Sequence, residues 1–567
     1  MVSIATTDTP RTDTAFDGRR RAGTMAFAVV GIALTAVILA TPWLVQGLVP
    51  CEWIGLAIPL LVIRRLKGWW GETTVLATAL VALGIAFHWT PQVLASSLNA
   101  PLPVAFAVAA PIIFLDAIRL AAPFLFAARL GVSPLVAWLP AGLAAVVVEA
   151  IMPTVFPWKH GYAQIDWYPL VQSADLLGPE TTTLVAFAHA GVVVGIAHAS
   201  GLVRGFGDLR RRPERLAVIA AVVLVSANAL YGFAAVRFWS ARIAAAPTIG
   251  VLAVQANPEE GDGVEALQTL TSEACAADPA GVELVCWPEC SGGSYSAKLD
   301  SLADPEQVLE MSRDPRRGFQ PMPSLDCPLL FGGKCWVGHR DKPRTVHQAA
   351  ILLDAAERIT GRYHKRHLMP FGEYVPGSEW SLEVARMFPM QEPLEEGTEA
   401  TVLAGDGPAR LGVLLCYEDM IPSAARSLAA ESANVFVSLI NGAAFTAPLT
   451  LRQHRLLAQM RAVESRRFLV RCAATGETCV ISPLGTVVDR LPLQARGYLK
   501  ARVPLLEGRT LFTCVGNALL PSVCALGMVP FGVAGYRRRR AARRPPQSCE
   551  DPAGPPPAIG WWSARSP

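Results

Sequence analysis

The chain has 567 residues, of which 52% are hydrophobic and 17% are charged, and its mean hydropathy is +0.35. Because soluble proteins carry about 25% charged residues, this composition excludes a disordered or nucleic-acid-coating protein and disfavours a single soluble domain. The net charge of +4 is small, and the twelve cysteines form neither a dense disulfide scaffold nor a pair of CxxC zinc motifs. The composition therefore predicts a membrane protein with a second, more polar part.

Long charge-free stretches dominate the first 240 residues. Residues 22–51 and 73–115 contain no Asp, Glu, Lys or Arg, and prolines at 91, 101 and 103 divide the second stretch into two spans. A helix of about 20 apolar residues crosses the hydrocarbon core of a bilayer. The sequence therefore predicts about eight transmembrane helices, seven within 25–240 and one at 511–536. Besides the two long stretches, the apolar stretches of the first part are 53–63, 134–153, 181–203 and 216–236. The stretch 53–63 is the weakest prediction because it is short.

Basic residues follow every second predicted span. They lie before the first span (Arg19–Arg21), after the second, fourth and sixth, and after the last (Arg537–Arg540), whereas the 91–103 loop is uncharged. Since Lys and Arg stay on the cytoplasmic side, both termini are predicted to be cytoplasmic. These are the N-terminal tail 1–24 and the basic, Pro-rich tail 537–567, whose arginines we interpret as a topological anchor.

Residues 245–510 have an ordinary polar composition and the length of one α/β domain. Helical patterns at 264–277, 421–431 and 450–466 alternate with short apolar runs, and this alternation predicts a layered α/β sandwich. The topology places this domain outside the cytoplasmic membrane. The predicted strands are 248–254, 282–286, 328–331, 349–353, 411–415, 435–439, 468–471 and 478–481.

Three strand ends or turns in this domain carry reactive side chains. One apolar strand ends in Trp-Pro-Glu289, a second ends in Cys416, and the polar turn 363–376, which shows no strong periodicity, contains Lys365. A carboxylate accepts the proton of a thiol nucleophile, and a buried lysine stabilises the oxyanion of a tetrahedral intermediate. Together the three residue types suffice for acyl transfer through a thioester, although each alone is more often a structural or surface residue.

The ordered set of motifs resembles a known family. Trp-Pro-Glu289, Lys365 and Cys416-Tyr-Glu418 resemble the nitrilase, or carbon–nitrogen hydrolase, superfamily. The phrase His-Leu-Met-Pro-Phe-Gly-Glu-Tyr-Val-Pro at 367–376 resembles specifically the apolipoprotein N-acyltransferases, the membrane branch of that superfamily. The phrase at 156–164, which begins Phe-Pro-Trp, and the order of seven helices, domain and one helix are similar to the same family.

The resemblance implies a role for each matching residue. Cys416 would be the nucleophile, Glu289 the general base and Lys365 the oxyanion stabiliser. Two further carboxylates would orient the lysine and the thiol, and a tyrosine would line the pocket: Glu373, Glu418 and Tyr417. The implied fold of residues 245–510 is a nitrilase-like αββα sandwich.

The implied reaction has two halves. Cys416 would take an acyl chain from a membrane phospholipid, and the thioester would then acylate the α-amino group of the N-terminal diacylglyceryl-cysteine of an apolipoprotein. The enzyme would be a multi-pass monomer of the bacterial cytoplasmic membrane with its catalytic domain on the periplasmic side. We expect no cofactor, no metal ion and no nucleic-acid partner.

Four phrases depart from the family pattern, and other functions therefore stay open. The departures are Asn-Gly-Ala-Ala-Phe at 441–445, Ala-Thr-Gly at 474–476, Val-His-Gln-Ala at 346–349 and Cys-Ser-Gly after Glu289. One alternative is a membrane-tethered amidase or nitrilase-like hydrolase, or a divergent paralogue acting on another amine or amide. Another is a transporter or lipid-binding protein with an inactive enzyme domain. Stretches 290–325 and 377–395 are predicted to be mobile arms over the pocket.

Overall fold

The structure is a computed structural model of the whole chain. It describes residues 14–62, 68–203, 208–257, 263–278, 281–291, 325–337, 345–356, 358–377, 394–405, 407–443, 445 and 447–542. The two stretches predicted to form arms over the pocket lie largely outside the described residues, at 292–324 and 378–393.

The described residues include six helices that are long and apolar enough to cross a membrane, together with two shorter apolar helical segments, Val29–Leu44 and Pro50–Val62. The short second segment agrees with its weak sequence signal. The helices of this part are α1 (Thr14–Leu44), α2 (Pro50–Val62), α3 (Trp69–Ala86), α4 (Thr90–Leu98), α5 (Leu102–Arg129), α6 (Pro134–Ile151), α7 (Ala174–Leu177), α8 (Glu180–Ala199) and α9 (Arg212–Ala245).

Two connections in this part are helical, although the sequence suggested a loop for the first. The uncharged segment between α3 and α5 forms α4, which starts with proline in its first turn and ends at Asn99 in a left-handed conformation. Proline is well suited to the first turn, where its missing N–H is not needed. The segment Tyr162–Val171 forms a 3₁₀ helix that packs between the membrane helices and the second domain.

The second domain contains two six-stranded sheets. In space the strand order is β12-β1-β2-β3-β4-β5 in one sheet and β11-β10-β9-β8-β7-β6 in the other. The strands are β1 (Thr248–Gln255), β2 (Leu284–Cys286), β3 (Leu329–Val337), β4 (Thr345–Leu353), β5 (Ile359–His364), β6 (Val402–Ala404), β7 (Arg410–Leu415), β8 (Val435–Ile440), β9 (Leu469–Ala473), β10 (Cys479–Ile481), β11 (Val487–Arg490) and β12 (Gly497–Pro504).

The two sheets face each other across one apolar core and are covered by helices on their outer faces. Val251 and Leu330 of the first sheet lie in the same buried cluster as Val413 and Val470 of the second. The covering helices are α10 (Gly263–Ala277), α11 (Pro422–Ala430) and α12 (Pro448–Ser465). The predicted αββα sandwich is therefore confirmed. The chain then continues through α13 (Leu511–Val515) to the last apolar helix, α14 (Leu519–Ala542).

Four strands were not predicted from the sequence: β5, β6, β11 and β12. Strand β12 pairs antiparallel with β1 along its whole length, from Thr248 opposite Pro504 to Gln255 opposite Gly497. Its sequence contains lysine and arginine and lacks a continuous apolar run, as expected of an edge strand. The polar turn predicted at 363–376 is also corrected, because its first two residues complete β5.

Helix α12 fixes the second domain onto the membrane helices. The side chain of Gln453 accepts a hydrogen bond from the Trp89 indole N–H at 2.8 Å, and it donates to the carbonyls of Trp43 and Ala86. These carbonyls lie near the ends of α1 and α3, where helix carbonyls lack partners within their own helix. One buried side chain thereby satisfies the ends of two helices and holds the two parts in register.

Candidate active site

The predicted catalytic residues lie within three residues of the ends of three strands of the two sheets. Glu289 follows β2, Lys365 follows β5, and Cys416 follows β7. The turn after β2 lies tightly against β3, because a Cβ atom added to Gly332 would be 2.6 Å from the Cα atom of Glu289. A glycine at this position of β3 is what allows the Glu289 turn to approach.

Lys365 lies between two carboxylates. Its Nζ is 3.2 Å from Oε1 of Glu289 and 2.6 Å from Oε1 of Glu373. The lysine side chain is only 1% exposed, and that of Glu289 is 5% exposed. Glu373 is held in turn by the backbone N–H of Met369, which donates to Oε2 at 2.7 Å. The structure thus brings together three residues that are up to 84 positions apart in the sequence.

Cys416 lies on a sharp turn between β7 and a 3₁₀ helix, Cys416–Met420. Its φ angle is +47°, a left-handed conformation that is unfavourable for a non-glycine residue. The Sγ atom lies 3.9 Å from the carbonyl oxygen of Asn441, and the backbone N–H of Asn441 donates to Oε2 of Glu289 at 3.3 Å. Asn441, the first residue of the departing phrase 441–445, therefore contacts both the thiol and Glu289 through its backbone.

Burial and the charges of the site together keep the thiol protonated, and the charges keep the lysine cationic at rest. Burial, with the nearby charge of Glu289, raises the pKa of Cys416 well above its ordinary value. Although burial alone lowers it, the charges of Glu289 and Glu373 hold the pKa of Lys365 well above its usual range. Burial also raises the pKa of Glu289, an effect that Lys365 opposes and Glu373 reinforces. A carboxylate with a raised pKa is a stronger base for the thiol proton.

Glu418 joins the nucleophile turn to the lysine turn. Its Oε2 accepts from the N–H of Leu415 at 2.9 Å, and its Oε1 accepts from the Tyr363 hydroxyl and the N–H of Arg366 at 2.7 and 2.8 Å. The N–H of His367 also donates to Oε1. Although burial raises it, hydrogen bonds from His367, Leu415 and Tyr363 lower the pKa of Glu418. Glu418 thus orients the lysine turn through the backbone and makes no direct contact with the Lys365 amine.

Sequence reasoning gave no role to a second acidic residue after the nucleophile. The carboxylate of Asp419 is fully buried and accepts from the Ser438 hydroxyl, from Nε2 of His454 at 2.7 Å and from Nε of Arg471 at 3.0 Å. Although burial raises it, His454 and Arg471 lower the pKa of Asp419 to about 2. Two adjacent acidic residues directly after a candidate nucleophile were the one available signal for this network.

A mostly apolar pocket lies beside the Cys416 turn, between the second domain and the membrane helices. Tyr417, expected to line a pocket, does so, and its hydroxyl donates to the carbonyl of Val155 at 2.7 Å. Other lining side chains come from α3, α4, α5 and the 156–164 phrase, among them Phe87, Phe156 and Ile112. The pocket therefore connects the reactive end of β7 with the bilayer-spanning part of the protein.

Two family models match the chain. The carbon-nitrogen hydrolase model matches residues 250–510, and the model of the apolipoprotein N-acyltransferase N-terminal domain matches residues 35–192. An apolipoprotein N-acyltransferase of Geobacter metallireducens is 26% identical over 89% of this chain and 95% of that protein. The chain belongs to the apolipoprotein N-acyltransferase family.

One further apolipoprotein N-acyltransferase supports the same assignment. This relative, from Azotobacter vinelandii, is 30% identical over 63% of this chain and 65% of that protein. Among solved structures, the Saccharomyces cerevisiae nitrilase-superfamily protein Nit3 aligns with 18% identity and a TM-score of 0.34, covering 46% of this chain and 90% of Nit3. The relatives and the apolar helices together indicate a bacterial inner-membrane protein.

Proposed function

We propose that this enzyme N-acylates lipoproteins in two half-reactions that share one thiol. Cys416 takes a fatty acyl chain from a membrane phospholipid and passes it to the α-amino group of an N-terminal diacylglyceryl-cysteine. The catalytic domain lies on the periplasmic side of the inner membrane, both termini are cytoplasmic, and the enzyme works as a monomer. No metal ion or cofactor enters either half-reaction.

In the first half-reaction, Sγ of Cys416 attacks the ester carbonyl carbon of the phospholipid while its proton passes to Glu289. Lys365 faces the negative charge that develops on the carbonyl oxygen. The C–O bond to glycerol then breaks, and the proton held by Glu289 goes to the leaving oxygen. The products are an acyl thioester on Cys416 and a lysophospholipid.

In the second half-reaction, the free amine of the acceptor attacks the thioester carbonyl and gives a proton to Glu289. Lys365 again stabilises the oxyanion, the C–S bond breaks, and the proton returns to the sulfur of Cys416. The product is an amide, and the enzyme regains its starting state. One base and one cation serve both halves because the two tetrahedral intermediates have the same geometry around the carbonyl carbon.

The pocket next to Cys416 is the observation that carries this proposal. It is lined by membrane-helix residues such as Phe87 and Ile112 as well as by Tyr417 of the catalytic domain. Such a pocket holds an acyl chain beside the thiol while the rest of the lipid stays in the bilayer, which places the reacting atoms together without soluble diffusion. An amidase that acts on soluble substrates needs no such pocket, and the comparisons do not favour that alternative.

The test uses purified enzyme in mixed micelles of phospholipid and a synthetic diacylglyceryl lipopeptide. We expect a triacylated peptide and an equal amount of lysophospholipid. The matched control peptide carries an acetylated α-amine, and we expect it to give no acylated product. Release of free fatty acid at the same rate with both peptides would instead assign the enzyme to the hydrolases.

A further inference from the structure

One residue that lines the pocket beside the Cys416 turn, Asp116 of α5, forms a buried pair of opposite charges with Arg119. Nη1 of Arg119 lies 3.9 Å from Oδ1 of Asp116, and the two residues are 1% and 8% exposed. The guanidinium carbon of Arg119 lies 4.7 Å from the centroid of the Trp158 ring. Ionisable side chains are costly inside a membrane, so a buried pair in a spanning helix indicates a functional site.

The direction of α5 places this pair at the end of the pocket far from the catalytic domain. The first turns of α5 lie near that domain, because Phe371 packs against the cluster that contains Ala105 and Ala109. Farther along the helix, Ile112 and then Asp116 line the pocket. At 1.5 Å per residue, Asp116 lies about 6 Å beyond Ile112 along the helix axis. Asp116 thus forms the floor of the pocket, and Arg119 lies one turn behind it.

The floor is chemically unlike the walls. Oδ1 of Asp116 and both Nε and Nη1 of Arg119 lack a hydrogen-bond partner among the residues that the structure describes. Apart from Thr90 and Asp116, the side chains that line the pocket are apolar or aromatic. Buried polar atoms without partners are costly, and the cost grows when an apolar group excludes solvent from them. Contact with a methyl group is therefore favourable at the walls of the pocket and unfavourable at its floor.

We propose that Asp116 and Arg119 limit the length of the acyl chain that the enzyme accepts. This inference rests on the proposed function, since it takes the pocket as the acyl site. Each methylene buried along the walls strengthens binding by about fourfold. An acyl chain whose terminal methyl reaches the floor instead binds about tenfold more weakly, because it leaves charged groups without hydrogen-bond partners. An acyl chain of the same length that ends in a hydroxyl forms hydrogen bonds with the polar groups of the floor, and the enzyme therefore prefers it over the chain that ends in a methyl.

The first test is a competition among phosphatidylethanolamines that differ only in acyl length, in two-carbon steps. Intact-protein mass spectrometry of the Cys416 adducts gives the ratio of chain lengths transferred. We expect a steep fall beyond one length in the wild type. In the double variant Asp116→Leu with Arg119→Met the fall moves to longer chains, because replacing both partners of a buried ion pair by apolar residues is tolerated. The matched control, Asp116→Asn with Arg119→Gln, keeps a polar floor and the wild-type profile.

A second test needs no variant. Wild-type enzyme receives equal amounts of two donors whose acyl chains have the same length and end in a methyl or a hydroxyl. We expect no hydroxyl preference for short chains and about tenfold preference at the length where the wild-type profile falls. Adducts that form with no hydroxyl preference at any length, or identical profiles for wild type and a folded apolar-floor variant, would overturn this inference alone. No adduct from any phospholipid would overturn the proposed function, and this inference with it.

Discussion

Glu418→Gln tests how the nucleophile turn is joined to the lysine turn. The carboxylate accepts four hydrogen bonds, including one from the Leu415 N–H and one from the Arg366 N–H. A glutamine in either orientation replaces one acceptor oxygen by an NH₂ group that faces a donor. One hydrogen bond to a charged group, about 2 kcal/mol, is lost, and an unsatisfied buried donor adds about 2 kcal/mol more. We expect the free energy of unfolding to fall by about 4 kcal/mol.

The same change slows the chemistry, because Arg366 and His367 lie next to Lys365 in the chain. A displacement of the lysine by about 1 Å costs about a hundredfold in rate. We expect adduct formation on Cys416 to slow by about that factor, measured by intact-protein mass spectrometry alongside thermal unfolding in detergent. The control Tyr363→Phe removes the hydroxyl that donates to Glu418 and accepts from Nε of Arg366, so it costs about 2 kcal/mol and leaves the backbone donors in place.

The pH dependence of stability follows from the lowered pKa of Glu418. The folded-state pKa lies below the unfolded value of about 4.3, so the stabilisation is complete above the unfolded value and is lost as the pH falls through the folded one. Glu418→Gln therefore has its full effect at neutral pH and a diminishing effect in acid. A variant with the wild-type melting temperature and acylation rate at neutral pH would refute the role given to Glu418.

Three further predictions concern the catalytic charges and their support. Gly332→Ala should nearly abolish acylation, because its Cβ would lie 2.6 Å from the Cα of Glu289, whereas Gly405→Ala, with its nearest neighbour at 3.4 Å, should leave the rate unchanged. The acylation rate should fall in acid with a midpoint above pH 4.5, because the pKa of Glu289 is raised and its carboxylate is the active form. Glu373→Gln should move this midpoint to lower pH, since the charge of Glu373 contributes to the raised pKa of Glu289. An unchanged midpoint would contradict the assignment of Glu289 as the base. Glu289→Gln should slow alkylation of Cys416 by a small uncharged haloacetamide by about a hundredfold, and equal alkylation rates would show that Glu289 is not the base.

The sequence predicted most accurately those strands whose formation depends on a local pattern of apolar residues. The strands that lead to Glu289 and Cys416 are short apolar runs, fully buried except for Arg410 at the start of β7, and both are present within a few residues of their predicted bounds. The edge strand β12 could not be predicted in the same way. It is a strand because it pairs with β1, almost 250 residues earlier in the chain, and its own residues alternate between charged and apolar.

The supporting network of the site was predicted only in part. The resemblance pointed to Glu373 and Glu418, since both stand in recognisable phrases. The partners of Asp419 are His454 and Arg471, 35 and 52 residues away, and no local spacing connects them. Likewise, the position of Asp116 at the floor of the pocket depends on how α5 packs, and its i,i+3 spacing from Arg119 says only that the two residues share one helix face.

The most direct test of the whole account is to locate the acyl group on the enzyme. Wild type and Cys416→Ala are incubated with phospholipid alone, digested, and analysed by peptide mass spectrometry. We predict one adduct of fatty-acyl mass on the peptide that contains Cys416, absent from the variant and discharged by a diacylglyceryl lipopeptide much faster than by water. An adduct on another residue, or triacylated product formed at the wild-type rate by Cys416→Ala, would contradict the account.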